Sequence, residues 1–189
     1  EFRRVLFRSN PNTLVISFVA GKKIADISAA LSGANPIVRV MPNTPTLIGQ
    51  GAAGYSAEPK VSAAQKTFVA QLLNSSGVAI EIEESLQDAV TATSGSGPAY
   101  FFAFVEAMIA GSKELGLSEA DATKLTAQTF IGAAKLLESS GKSATTLREN
   151  VTSPNGTTAA ALASFSDSKL NEIVLKAMKA ARDRSIELS

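Results

Sequence analysis

Apolar positions in the first half of the chain alternate between two spacings, and each change of spacing marks an element. TLVISFVAG, Thr13 to Gly21, is a compact β-branched and apolar run ending in small residues, the pattern of a buried parallel strand that enters a tight turn. KKIADISAAL then carries helical spacing up to Gly33. PIVRVMPN, Pro36 to Asn43, predicts a second strand, and GAAGYSA a third of less regular pattern. PKVSAAQKTFVAQLLNSSG follows as an amphipathic helix, with Phe68, Leu72 and Leu73 on its inner face and Gly77 as its stop. GVAIEIE is a fourth strand. Strands alternating with helices predict an α/β layer, so the segment up to about residue 83 reads as part of a doubly wound sheet.

Beyond Glu84 the strand pattern stops. SLQDAVTATSGSGPAYFFAFVEAMIAGSKELG reads as a short helix, a Gly/Ser break and a long helix that Pro98 can enter at its first turn. In LSEADATKLTAQTFIGAAKLLESSG, Ser118 can cap a helix with Asp121 at the capping-box distance, and Gly141 lies past its end. SATTLRENV and SKLNEIVLKAMKAARDRSIEL are also helical, which makes the second half all-α. Its apolar residues, among them Phe101, Phe102, Phe104, Phe130 and Ile131, fall on more than one helix face. Central core helices would have that property; so would helices covered by a partner subunit, since a lone bundle this small would expose some of that surface. The expected organisation is a leader over residues 1–9, an α/β segment over 10–84 and a helical domain over 85–189.

Composition narrows the chemistry. The 189 residues are 45% hydrophobic, ample for a core, and 18 basic against 17 acidic residues leave a net charge of +1. No field of that size points to nucleic acid or an anionic membrane. Absence of cysteine removes disulfides, thiolate chemistry and thiolate-bound zinc, and agrees with a reducing, cytoplasmic setting. Absence of histidine removes Ser-His-Asp catalysis and the usual His-rich metal sites. Carboxylates, lysines, hydroxyls, backbone amides or a bound cofactor are left to do any chemistry. EFRRVLFRS, the first nine residues, has three arginines but neither an apolar core nor a small-residue cleavage site; a basic targeting segment is one reading, and the favoured one is a foreign leader on a chain whose natural start lies further upstream. The apolar stretch AYFFAFVEAMIAG is too short for a bilayer and contains Glu106.

Five stretches are candidates for chemistry. MPNTP, Met41 to Pro45, follows a strand at its expected carboxyl end, where open α/β sheets bind ligands, although such a turn is common elsewhere. GQGAAG, Gly49 to Gly54, fits the dinucleotide fingerprint by letter but leads into a strand instead of a helix, so its context rejects it. SGSGPAY, Ser94 to Tyr100, permits close backbone approach at a helix start, either for packing between domains or for ligand contact. Glu83 and Glu84 form a carboxylate pair whose ordinary reading is a solvated strand end. The fifth stretch, ENVTSPNGTTAAAL, breaks a helix with Ser-Pro-Asn-Gly and restarts it with Thr157 and Thr158. An ordinary cap by Thr157 or a neighbour would explain part of this, but the same arrangement gathers hydroxyls where a helix exposes unpaired N–H groups and suits a carboxylate or phosphate.

Taken together, VRVMPNTP, DAVTATSGSGPAYFFAFVEAM, AQTFIGAAKLL and ENVTSPNGTTAAAL resemble the pyrroline-5-carboxylate reductase family in order and spacing, over Asn10 to Ser189. The resemblance implies the C-terminal half of a Rossmann-type NAD(P)-binding domain followed by an all-helical dimerisation domain, an α/β plus all-α fold. It also implies hydride transfer from NADPH or NADH to the C=N bond of 1-pyrroline-5-carboxylate, giving L-proline, by a homodimer or larger homo-oligomer. Val19, Ala20, Gly21, Asn43, Thr44 and Asn150 then match cofactor-binding positions. Ser153, Gly156, Thr157, Thr158 and Glu84 match substrate-binding ones, and the Thr158 hydroxyl the contact to the imine nitrogen. The family's first strand and Gly-rich turn have no counterpart here, which implies weak NAD(P)H binding by the chain as it stands, and a family acidic position falls at Gly141.

Two other readings compete. β-Hydroxyacid dehydrogenases share the plan of a Rossmann domain plus helices, but their lysine at the start of the long helix corresponds to Phe101 here. A noncatalytic helical dimerisation module fits the helices equally well and leaves the joint occurrence of MPNTP and SPNGTT unexplained.

Overall fold

The computed structural model describes residues 10 and 12–188. The expected leader over 1–9 lies outside the described residues. The chain forms two compact units, one comprising the residues up to Pro98 together with those from Ala177 onward, the other Ala99–Lys176.

The first unit is built on a four-stranded sheet: β1 (Val15–Ser17), β2 (Ile37–Met41), β3 (Gly51–Ala57) and β4 (Gly77–Glu81), side by side in chain order. Between β1 and β2 runs helix α1 (Ile24–Ala30), and between β3 and β4 runs α2 (Ala63–Asn74). Both crossovers join parallel strands, with Val15 opposite Ile37 and Gly51 opposite Gly77. The middle pair, β2 and β3, is antiparallel, with Val40 opposite Tyr55. Its connection holds one 3-10 turn, Thr44–Ile48, too little chain for the crossover that a parallel pair requires.

Alternation along the strands sends side chains to two faces. Val38, Val40 and Tyr55 meet α2 through Val69, joined by Val61. Ile37 meets α1 through Ile24 and Leu31 on the other face. Each fully buried aliphatic side chain here contributes about 1.5 to 3 kcal/mol, so these two clusters anchor the α/β layer.

Two expectations are corrected. The run from Thr13 to Gly21 supplies a strand of three residues, Val15–Ser17, which is half-buried and among the described residues pairs with β2 alone, and Phe18 and Val19 beyond it are exposed. On α2 the sheet takes the stripe of Val69 and Leu73, leaving Phe68 and Leu72 exposed. Both pairs have i, i+4 spacing, so periodicity alone supports either stripe.

After β4 come a 3-10 turn (Glu84–Leu86), the short α3 (Gln87–Val90) and a π-helical turn (Thr91–Gly95), in which the Ser96 N–H donates to the Thr91 carbonyl at 2.8 Å. α4 (Gly97–Glu114) begins here, with Pro98 at its second position. The helical unit holds most of α4 together with α5 (Glu119–Ser140), α6 (Ala144–Asn150) and α7 (Thr157–Asp167). α8 (Leu170–Glu187) starts in it. Ser118 caps α5 by accepting from the Asp121 N–H, and Gly141 stands in the left-handed region past its end. Phe101 lies against Phe130, and Phe104 against Phe165, at ring separations of 5.6 and 6.3 Å. Among the described residues, no helix is long and apolar enough to cross a membrane.

Candidate functional site

The sheet unit carries the first group of candidate residues at the carboxyl end of β1 and β2. Val19 and Ala20 are exposed, and the chain then reverses at Gly21, which is buried with φ +74°. A Cβ built on Gly21 would stand 2.8 Å from the Leu188 carbonyl oxygen, so both the left-handed backbone and the close neighbour require glycine. An apolar cleft of about 260 Å³ opens at this end of the sheet, lined by Phe18, Pro42, Thr46, Gly51, Leu72 and Val78. Along the outer side of β1 a second groove of about 480 Å³ includes Val15, Phe18, Val19 and Lys22.

Asn43 is a bracket. Its Nδ2 donates to the Ser94 carbonyl at 3.1 Å while its Oδ1 accepts from the Ala52 N–H at 2.9 Å, tying the end of β2 to the start of β3 and to the π-helical turn. Thr44 next to it is exposed at the start of the 3-10 turn. The Asn43 side-chain amide is thus committed to backbone groups, and what it offers a ligand is the shape of the loop.

Glu84 is also engaged within the protein. Its Oε1 accepts from the Ile24 N–H at 2.7 Å, at the start of α1, where Lys23 supplies no cap. The same oxygen lies 3.3 Å from the Arg39 guanidinium, a side chain buried within β2. Sequence reasoning did not single out Arg39, yet the signal was present as one charge in the apolar run PIVRVM. Gln87, fully buried, was likewise missed; its Nε2 donates to Ser56 Oγ at 3.0 Å and to the Arg39 and Gly54 carbonyls at 3.4 Å.

The second group lies in the helical unit. Asn150 is the exposed last residue of α6. Ser153 is exposed, and its carbonyl accepts from the Gly156 N–H at 3.0 Å, closing a turn in which Asn155 has φ +59°. Gly156 is the N-cap of α7, and no side chain caps the helix. Thr157 and Thr158 are therefore its first two residues, and among the described residues no side chain caps the leading N–H groups of this 11-residue helix. Such an end carries about half a positive charge and donors directed outward, a setting for a carboxylate or phosphate. Thr158 is half-buried and Thr157 exposed, so the two hydroxyls occupy different surroundings.

The family described as "Pyrroline-5-carboxylate reductase dimerisation" matches residues 84–188. The chain belongs to the pyrroline-5-carboxylate reductase family. The pyrroline-5-carboxylate reductase of Pseudomonas aeruginosa is 47% identical over 180 residues, which cover 95% of this chain and 66% of that protein. A solved pyrroline-5-carboxylate reductase from Coxiella burnetii is 37% identical with a TM-score of 0.92, over 100% of this chain and 69% of that one. A pyrroline carboxylate reductase from Plasmodium falciparum, solved with NADP bound, is 35% identical with a TM-score of 0.85, over 93% of this chain and 71% of that one. Across eight curated pyrroline-5-carboxylate reductases the chain spans 61 to 70% of their length. The likeness to the solved chains takes in both the strands and the helices, and the family match covers the chain from Glu84 onward.

Proposed function

We propose that this protein reduces 1-pyrroline-5-carboxylate to L-proline with NADPH or NADH, the last step of proline biosynthesis. The observation that carries this reading beyond family membership is the start of α7, where a helix end without a side-chain cap stands beside the half-buried Thr158 hydroxyl. A cyclic imine with a carboxylate asks for that pair of groups. The N–H groups of the first turn, with Ser153, Gly156 and Thr157 shaping their approach, take the carboxylate, and the Thr158 hydroxyl hydrogen-bonds the ring nitrogen. Neither role needs histidine, since the imine acquires its proton from solvent or within the site and the protein contributes orientation and electrostatics.

The turn Val19–Ala20–Gly21, exposed at Val19 and Ala20, stands at a strand's carboxyl end and suits a dinucleotide, as does the loop at Asn43 and Thr44. When bound, the nicotinamide supplies the hydride to the imine carbon. Asn150 contributes a further cofactor contact, and Glu84 acts only indirectly, by holding the start of α1 and the Arg39 guanidinium. The enzyme works as a homodimer or larger homo-oligomer, and a chain without cysteine suits the cytoplasm. A noncatalytic dimerisation module would leave the joint occurrence of the MPNTP loop and the SPNGTT turn unexplained.

The test is imine-dependent oxidation of NADPH by the natural full-length protein, compared with Thr158→Val and Thr157→Val. Both substitutions keep the branched shape and the backbone N–H. Thr158→Val loses a hydrogen bond to the reacting ring and should lower kcat/KM roughly tenfold to a hundredfold, or about 1 to 3 kcal/mol. Thr157→Val should stay within a few-fold of the parent protein. Equal kinetics for both variants would remove Thr158 from the chemistry, and no imine-dependent oxidation by the parent would refute the function.

A further inference from the structure

The turn at Val19–Gly21 has little to hold it from within. Its internal bonds, Val19 N–H to Ser17 Oγ at 3.4 Å and Lys22 N–H to the Val19 carbonyl at 3.5 Å, sit at the long limit for hydrogen bonds. Its conformation is set by neighbours. On one side, the Ile24 N–H that follows it is taken by Glu84. On the other, the end of α8 closes on it, with the Leu188 carbonyl so near Gly21 that a Cβ would stand 2.8 Å away. The last turn of a helix frays unless it is tied. The tie here is Ser185, buried at 6% exposure, whose Oγ donates to Asp88 Oδ1 at 2.6 Å. A hydroxyl-to-carboxylate bond of this length belongs to the stronger class. Asp88 stands in α3, one residue after Gln87, which is itself bonded to β2 and β3. The helix end is therefore referenced to the sheet that the turn leaves.

We propose that Ser185 and Asp88 form a latch that seats the end of α8 against Gly21, making Ser185 a positioning residue for dinucleotide binding at the Val19–Gly21 turn. The inference rests on reading that turn as a dinucleotide contact. Ser185 touches no reacting atom; it acts through the Leu188 carbonyl on the backbone geometry of Gly21. Losing the latch lets the helix end withdraw, and the turn then samples conformations that bind less well, which lowers apparent affinity in proportion to the competent fraction.

Ser185→Ala, Ser185→Thr and Asp88→Ala in the natural full-length protein would test this, with two readouts. NADPH affinity, followed by fluorescence titration, should weaken roughly three- to tenfold in Ser185→Ala and Asp88→Ala. Ser185→Thr keeps the hydroxyl and should restore it. KM for the imine and kcat at saturating cofactor should stay within about twofold. Amide hydrogen exchange without cofactor should show faster exchange at residues 19–24 in the two alanine variants, while α2 is unchanged. Unaltered NADPH affinity, with or without a fall in Tm, would overturn the proposal and leave Ser185 a packing residue. Unaltered exchange at 19–24 would overturn it equally. If the parent protein binds no dinucleotide, the functional reading fails, and the exchange data still decide whether the latch holds the turn.

Discussion

Glu84 is a single side chain whose position bears on two explanations. As a substrate contact it would need a free carboxylate, whereas Oε1 accepts from the Ile24 N–H and lies 3.3 Å from buried Arg39. Replacing it with Gln preserves an oxygen acceptor for Ile24 but leaves the Arg39 guanidinium, 5% exposed, without its counter-charge. Uncompensated buried charge is costly; because Glu84 is one third exposed, the expected loss is reduced to about 1 to 3 kcal/mol. We expect Glu84→Gln to lower Tm with KM for the imine changed less than twofold. A raised KM at unchanged Tm would instead identify Glu84 as a substrate contact. Sequence could flag Glu84 through its family resemblance but could not pair it, because Arg39 lies 45 residues away and the pairing depends on how the 3-10 turn after β4 lies against β2. The helix start that carries Thr158 was legible for the opposite reason: it is local, made by the turn immediately before it.

At the scale of elements, legibility followed the same division. Strands and helices with strong local pattern, such as PIVRVM and the α5 helix closed by Ser118 and Gly141, appear where their pattern predicts. The antiparallel β2–β3 pair and the buried stripe of α2 depend on partners in space and were not legible. The start of α2 shows both effects. Ser62 caps it, accepting from the Gln65 N–H at 3.2 Å, while Gln65 Oε1 accepts from the Ser62 N–H at 2.9 Å. This reciprocal box fixes the helix start after Pro59, Lys60 and Val61, and Val61 belongs to the same core cluster as Val69. Ser62→Ala should therefore cost about 1 kcal/mol, read as a lowered midpoint in urea with an unchanged slope. Since the box is exposed and far in sequence from the candidate residues, catalytic parameters should not move. An unchanged midpoint would mean that packing of Val69, and not the box, fixes the start of α2.

The whole molecule is unevenly buried. In the sheet unit, β2 alone contributes Ile37, Val38 and Val40 at 2% exposure or less. Between 99 and 176, only Ala122 and Thr126 are buried, whereas Phe101, Phe102, Leu125, Leu136, Val151 and Ile173 are each about half exposed or more. Ring contacts such as Phe101 with Phe130 orient the helices but hide little of this surface. A single copy of these helices thus lacks the core that would offset its conformational entropy. A second copy supplies that core if the same apolar faces meet across a two-fold axis. Folding of the helical unit and association are then one event, and stability must depend on protein concentration. Sedimentation velocity should show a dimer or larger species at micromolar concentration, and serial dilution should lower Tm. Phe102, 61% exposed, has no reason to be apolar in a monomer. Phe102→Asp should therefore dissociate the assembly and reduce helical content together, because the separated helices cannot stay folded. A concentration-independent monomer with full helicity, in either the parent protein or this variant, would show that the helices stand alone and refute the assembly.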